Sequence, residues 1–136
     1  MRSFHLLAAG ALVALVAASP AAAQSAPGGG AYSLDLLTPA QRADLSKRVD
    51  SYAVVEVFLR ACGRPPALET RFRRMASGCI RADTVRTLTA EYRRAIAARA
   101  GLRWDCRSAA GRRMIARSEQ AIRLTFADLG RLCRRG

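Results

Sequence analysis

The chain has 136 residues, 23 lysines and arginines against 10 acids, and a net charge of +13. Only 6% of it is aromatic, so a domain this small buries a modest core and gains from cross-links. Its single histidine is His5, which removes Ser-His-Asp and Cys-His catalysis and histidine metal sites from everything beyond the first few residues.

The N-terminus reads as an export signal over residues 1–23. Arg2 supplies a basic start. Leu6–Ala18 carries no charged or strongly polar side chain, Ser19-Pro20 breaks its helix, and Ala21-Ala22-Ala23 is a small-residue cleavage site. The apolar run is about 20 Å long as a helix, against a hydrocarbon core of about 30 Å, so a secretory signal is expected and a membrane anchor is not. Cleavage is expected between Ala23 and Gln24. Arg2 leaves with the signal, which lowers the net charge by one. The periplasm is the expected compartment.

Residues 24–33, with Ser-Ala-Pro-Gly-Gly-Gly and no periodicity, read as a flexible tether, and residues 34–136 as one helical domain. Thr38-Pro39-Ala40-Gln41 predicts a capped start to a first helix. Leu45, Val49, Tyr52, Val55, Leu59 and Cys62 continue it at three- and four-residue steps until Gly63 and Pro65-Pro66. A second helix is predicted from about Pro66 to Ser77, with Leu68, Phe72, Met75 and Cys79 inward and Gly78 closing it. A third is predicted after a capping Asp83, with Val85, Leu88, Tyr92, Ala95 and Ile96 inward. A fourth is predicted after a capping Asp105, running to about Arg134 on a stripe of Met114, Ile115, Ser118, Ile122, Phe126, Leu129 and Cys133. Gly111 weakens its first turns. Glu56–Arg60, Glu69–Arg73 and Glu119–Arg123 are spaced four apart with the acid first, the order that supports solvated helix faces. No segment alternates at the strand period. The predicted fold is all-α, a small up-down bundle of about four helices with two disulfides.

Cys62, Cys79, Cys106 and Cys133 are an even set in a small exported chain, which reads as two disulfides rather than a metal site. A continuous fourth helix holds Cys106 and Cys133 about 40 Å apart, far beyond bonding range. In an up-down bundle the end of helix one meets the start of helix four, and the ends of helices two and four share the other pole. Cys62–Cys106 and Cys79–Cys133 follow.

Phe58-Leu59-Arg60-Ala61-Cys62-Gly63, Phe72-Arg73-Arg74-Met75, Tyr92 and Cys106 before the last helix resemble an uncharacterised family of short exported alphaproteobacterial helical proteins. That family carries a Leu-Arg-x-Cys-Gly element and a distant second cysteine. The likeness spans about residues 45–130, and Cys79 and Cys133 depart from it. It implies an exported helical domain with a Cys62–Cys106 bond and no assigned activity.

Motifs for chemistry are few. The chain has no Cys-x-x-Cys, and Gly28-Gly29-Gly30 lies in the tether rather than in a phosphate loop. Neither a cofactor nor a metal site is expected. Glu56, within Val54-Val55-Glu56-Val57-Phe58-Leu59, suits a carboxylate-based hydrolase only if it lies in an apolar pocket. The expectation is a solvent-facing Glu56 paired with Arg60. Trp104 is expected to cover one end of the core beside a disulfide. Arg71, Arg74, Arg93, Arg94, Arg113 and Arg117 lie on three consecutive helices and form a candidate anion-binding face. The reading is a non-enzymatic module for an anionic envelope partner, such as anionic lipid or lipopolysaccharide, with nucleic acid not expected. The alternative is a structural or accessory subunit binding an envelope protein.

Overall fold

The computed structural model describes residues 30–134; the expected export signal of residues 1–23 and most of the expected tether lie outside them. Four helices follow a short 3-10 turn at Leu34–Leu36. They are α1 (Pro39–Ala61), α2 (Leu68–Ala76), α3 (Ala82–Ala97) and α4 (Ala109–Cys133), and the described residues include no β-strand.

The first helix starts where its sequence requires. The Thr38 side chain accepts from the Gln41 amide at 3.2 Å, and Gln41 Oε1 accepts from the Thr38 amide at 2.8 Å, closing a reciprocal capping box. It stops at Cys62, after which Gly63 turns at φ 73°, a conformation with no penalty for glycine. Pro65 and Pro66 then redirect the chain.

The other helix starts differ from the predicted ones. The second helix begins at Leu68 rather than near Pro66. Its preceding residue, Ala67, takes φ 51° and offers no side-chain cap. For alanine that conformation costs about 1–2 kcal/mol. Ala67→Gly is therefore expected to stabilise the fold by about 0.5–1 kcal/mol, after subtracting the extra entropy glycine gives the unfolded chain. Urea denaturation checks this, and a lower midpoint for the variant contradicts it. Asp83 lies in the first turn of α3, accepting from the Thr84 amide at 2.6 Å, and is not its cap. Ser108, not Asp105, caps α4, accepting from the Gly111 amide at 3.0 Å. Asp105 instead accepts from the amides of Arg107 and Ser108, which shapes the loop before the helix. Gly111 has a packing role: a Cβ there would sit 2.0 Å from the Asp105 carbonyl oxygen, so only glycine lets α4 close on that loop.

The C-terminal half of α1 is the centre of the molecule. Glu56, Val57, Phe58 and Leu59 are buried in succession, so the helix is enclosed on every side there. It packs mainly on α3, while α2 lies against both α3 and α4. Ala53, Phe58, Leu59, Leu68, Tyr92, Ile122 and Phe126 form the core, with Met75, Ile115 and Leu129 packed against it. Met114, expected inside, is 41% exposed. Trp104 is half-buried and meets Phe58 edge-on at 5.2 Å, closing the core next to Cys106.

Both disulfides join the predicted partners. Cys62 and Cys106 have α-carbons 5.5 Å apart, and Cys79 and Cys133 have them 5.2 Å apart. The last residues of the expected tether are hydrogen-bonded to the domain. Tyr32 accepts from the Arg81 amide at 2.9 Å and donates to the Cys79 carbonyl at 3.2 Å, and the Leu34 amide donates to the buried Thr84 hydroxyl. The segment from Gly30 onward is thus fastened across the α2–α3 turn.

Candidate functional site

Glu56 is where sequence and structure part most. It does pair with Arg60, whose Nη2 donates to Oε1 at 2.6 Å. It does not face solvent: it is 4% exposed. Its Oε2 accepts from the Leu68 amide at 3.0 Å and from the Tyr92 hydroxyl at 2.5 Å. The Leu68 amide is the first of α2, so a carboxylate carried by α1 supplies the cap that Ala67 lacks. One side chain thereby ties α1, α2 and α3 together.

A cleft of about 320 Å³ lies beside this junction, and both Glu56 and Glu69 line it. Two carboxylates on one cleft are the raw material of a glycosidase, which needs one of them to hand a proton to the leaving oxygen. Glu69 is not set up for that. Arg93 clasps it with two bonds, at 2.9 and 2.5 Å, and holds its carboxyl below the usual range, with Arg73 adding at 3.7 Å. The oxygens of Glu56 are taken up by three donors. The arrangement is a structural joint, and the hydrolase reading finds no support in it.

Tyr92 is part of the joint. Burial, reinforced by the hydrogen bond to Glu56, pushes its hydroxyl well above the usual range. The unfolded chain ionises this group near pH ~10. Above that pH the unfolded state binds fewer protons than the folded one, so the stability from Tyr92 is complete below about pH 10 and falls as pH rises. The urea midpoint of the wild type is expected to drop between about pH 9.5 and 11, with a shallower slope for Tyr92→Phe. Equal slopes contradict the assignment.

The six arginines singled out by sequence separate into two groups. Arg71 is half-buried, with its guanidinium carbon 4.3 Å from the centroid of the Phe126 ring, and Arg93 is engaged by Glu69. Arg74, Arg94, Arg113 and Arg117 are exposed, and none has an acidic partner among the described residues. Helix α2 bridges α3 and α4, which touch each other little.

Two further arginines, outside the candidate face, differ from the sequence expectation or were not singled out by it. Glu119 is bonded not to Arg123, four residues on, but to Arg64 Nε at 2.5 Å, from the turn after α1. That exchange leaves Arg123 without an acidic partner among the described residues. Arg64, Arg71 and Arg123 all line an open cleft of about 450 Å³ between the α1–α2 turn and α4.

Among the described residues no group of histidine, cysteine, aspartate and glutamate is placed to hold a metal, and no helix is long and apolar enough to cross a membrane. Comparison with protein families, curated proteins and solved structures finds no match to this chain.

Proposed function

We infer that the protein is an exported, non-enzymatic helical module that binds an anionic envelope partner through arginines left unpaired on its surface. The observation that carries this reading is the partnering pattern. Most of the acids are already bonded to arginines, yet Arg74, Arg94, Arg113 and Arg117 stay exposed and without an acidic partner among the described residues. Two disulfides in a small basic domain support export, because such bonds persist in oxidising compartments. The resemblance around Leu59-Arg60-Ala61-Cys62-Gly63 agrees with export and adds no activity.

Each arginine close to an anionic membrane contributes about 1 kcal/mol of attraction, screened as the Debye length falls from about 10 Å at 0.1 M salt to about 3 Å at 1 M. Binding to vesicles containing anionic lipid is expected at low salt and is expected to vanish at high salt. Replacing Arg74, Arg94, Arg113 and Arg117 together by glutamine is expected to abolish the preference over neutral vesicles. A wild type with no preference at low salt, or a quadruple variant that keeps it, rejects this reading.

A further inference from the structure

The cleft between the α1–α2 turn and α4 differs in kind from the exposed arginines. Three arginines, Arg64, Arg71 and Arg123, line it together with a single acid, Glu119. Glu119 engages only Nε of Arg64, so the outer edge of that guanidinium stays available. Arg123 has no acidic partner among the described residues. Arg71 is the most informative of the three. It is half-buried, makes no side-chain hydrogen bond within the described residues, and is held by the face of Phe126. A ring beneath a guanidinium supports the cation but takes none of its N–H donors, which lie in the guanidinium plane. A partly desolvated cation with its donors unused is preorganised for an oxyanion, which accepts two parallel bonds from such a fork.

The rest of the lining is apolar. Leu59 and Ile122 are core residues with almost no exposure, and Pro65 and Pro66 form part of the wall. Prolines hold a wall in place, since their backbone has little freedom to lose on binding. The cleft is open, about 450 Å³ in volume, and sets a few placed polar groups beside an apolar wall.

We propose that this cleft is a binding site for a small amphiphilic oxyanion, with a phosphate or carboxylate head on Arg71 and Arg123 and an apolar body against the accessible wall of Pro65 and Pro66. Arg64, steered by Glu119, closes the head-group side. The site shares only Arg71 with the residues considered for the surface face, and Arg71 is not among the four whose replacement tests that face. The two readings therefore fail separately.

The test is calorimetric titration of the disulfide-bonded protein with dodecyl phosphate below its micelle concentration. Inorganic phosphate and dodecyl maltoside, which share only its head or only its tail, are the comparison probes. Dodecyl phosphate is expected to bind at least about tenfold more tightly than either, since head and tail each contribute. Arg71→Gln and Arg123→Gln are each expected to weaken it about tenfold or more, the usual loss for a hydrogen bond to a charged group. Arg123 is exposed, so its variant keeps the fold, and Arg86→Gln, exposed on α3 and outside both the cleft and the surface face, is expected to change nothing. Equal binding of inorganic phosphate replaces the amphiphile with a free anion and overturns the proposal, as does equal binding of dodecyl maltoside. Undiminished affinity in both arginine variants, or no binding of dodecyl phosphate at millimolar concentration, overturns it as well.

Discussion

Replacing Cys62 and Cys106 together by alanine is expected to lower stability by about 4 kcal/mol and the melting temperature by roughly 15–30 °C. The bond joins residues 44 apart in sequence, and closing a loop of that length restricts the unfolded chain far more than the folded one. Cys79–Cys133, with a separation of 54, acts on the same scale. Domains of this size are stable by only about 5–15 kcal/mol in total, so either bond is a large share of that margin. The bonds also stand at opposite poles. Cys62–Cys106 fixes the loop that Gly111 packs against, and Cys79–Cys133 anchors the last turn of α4 to the α2–α3 turn. The chain with either pair replaced is expected to remain folded at 25 °C, and the chain lacking both is expected to be unfolded at 37 °C. Circular dichroism melts decide this. A fall of less than about 5 °C for either pair means that packing alone defines the fold.

What the sequence disclosed, and what it concealed, follows the range of the interactions involved. Thr38, Pro39 and Gln41 form a cap among themselves, so their meaning is local and readable. The cysteine pairing was also readable, because it depends only on the order and direction of the helices. It survives the shift of the α4 start past Cys106, since that cysteine stays at the same pole. The start itself was misread because Asp105 and Ser108 are equally competent caps, and the choice rests on how closely Gly111 approaches the loop. Glu56 was misread for a similar reason. Arg60 four residues on is the mark of a solvated pair, and the apolar neighbours on both sides could be accommodated either way. The donors that bury it, the Leu68 amide and the Tyr92 hydroxyl, come from α2 and α3 and have no trace near residue 56. The same non-local logic hid the amphiphile cleft. Glu119–Arg123 has the spacing of a pair, but Arg64 arrives from the turn after α1 and takes the carboxylate. Composition alone cannot distinguish Arg71, held over a ring, from Arg74 in solvent.

Glu56→Ala is expected to cost about 3–5 kcal/mol, enough to bring the domain near its unfolding threshold. The loss has identifiable parts. The Leu68 amide and the Tyr92 hydroxyl are left buried without an acceptor, at about 1–3 kcal/mol each, and a cavity opens where the side chain stood. Arg60, whose side chain is 58% exposed, turns to water and loses little. Glu56→Gln keeps the shape and one acceptor but presents an amide donor to groups that are themselves donors, so an intermediate loss of about 1–3 kcal/mol is expected. Tyr92→Phe removes one of the three donors. Because the two residues touch, the double variant Glu56→Gln with Tyr92→Phe is expected to be less destabilised than the sum of its parts, by about 0.5–3 kcal/mol. Urea denaturation of the four proteins at neutral pH measures that coupling. A loss below about 1 kcal/mol for Glu56→Ala means that water replaces the missing oxygens and that Glu56 is not the joint of the three helices. If Glu56→Gln is instead more stable than wild type, the carboxylate is retained at a cost to the fold. Its place on the cleft beside Glu69 would then need a functional explanation.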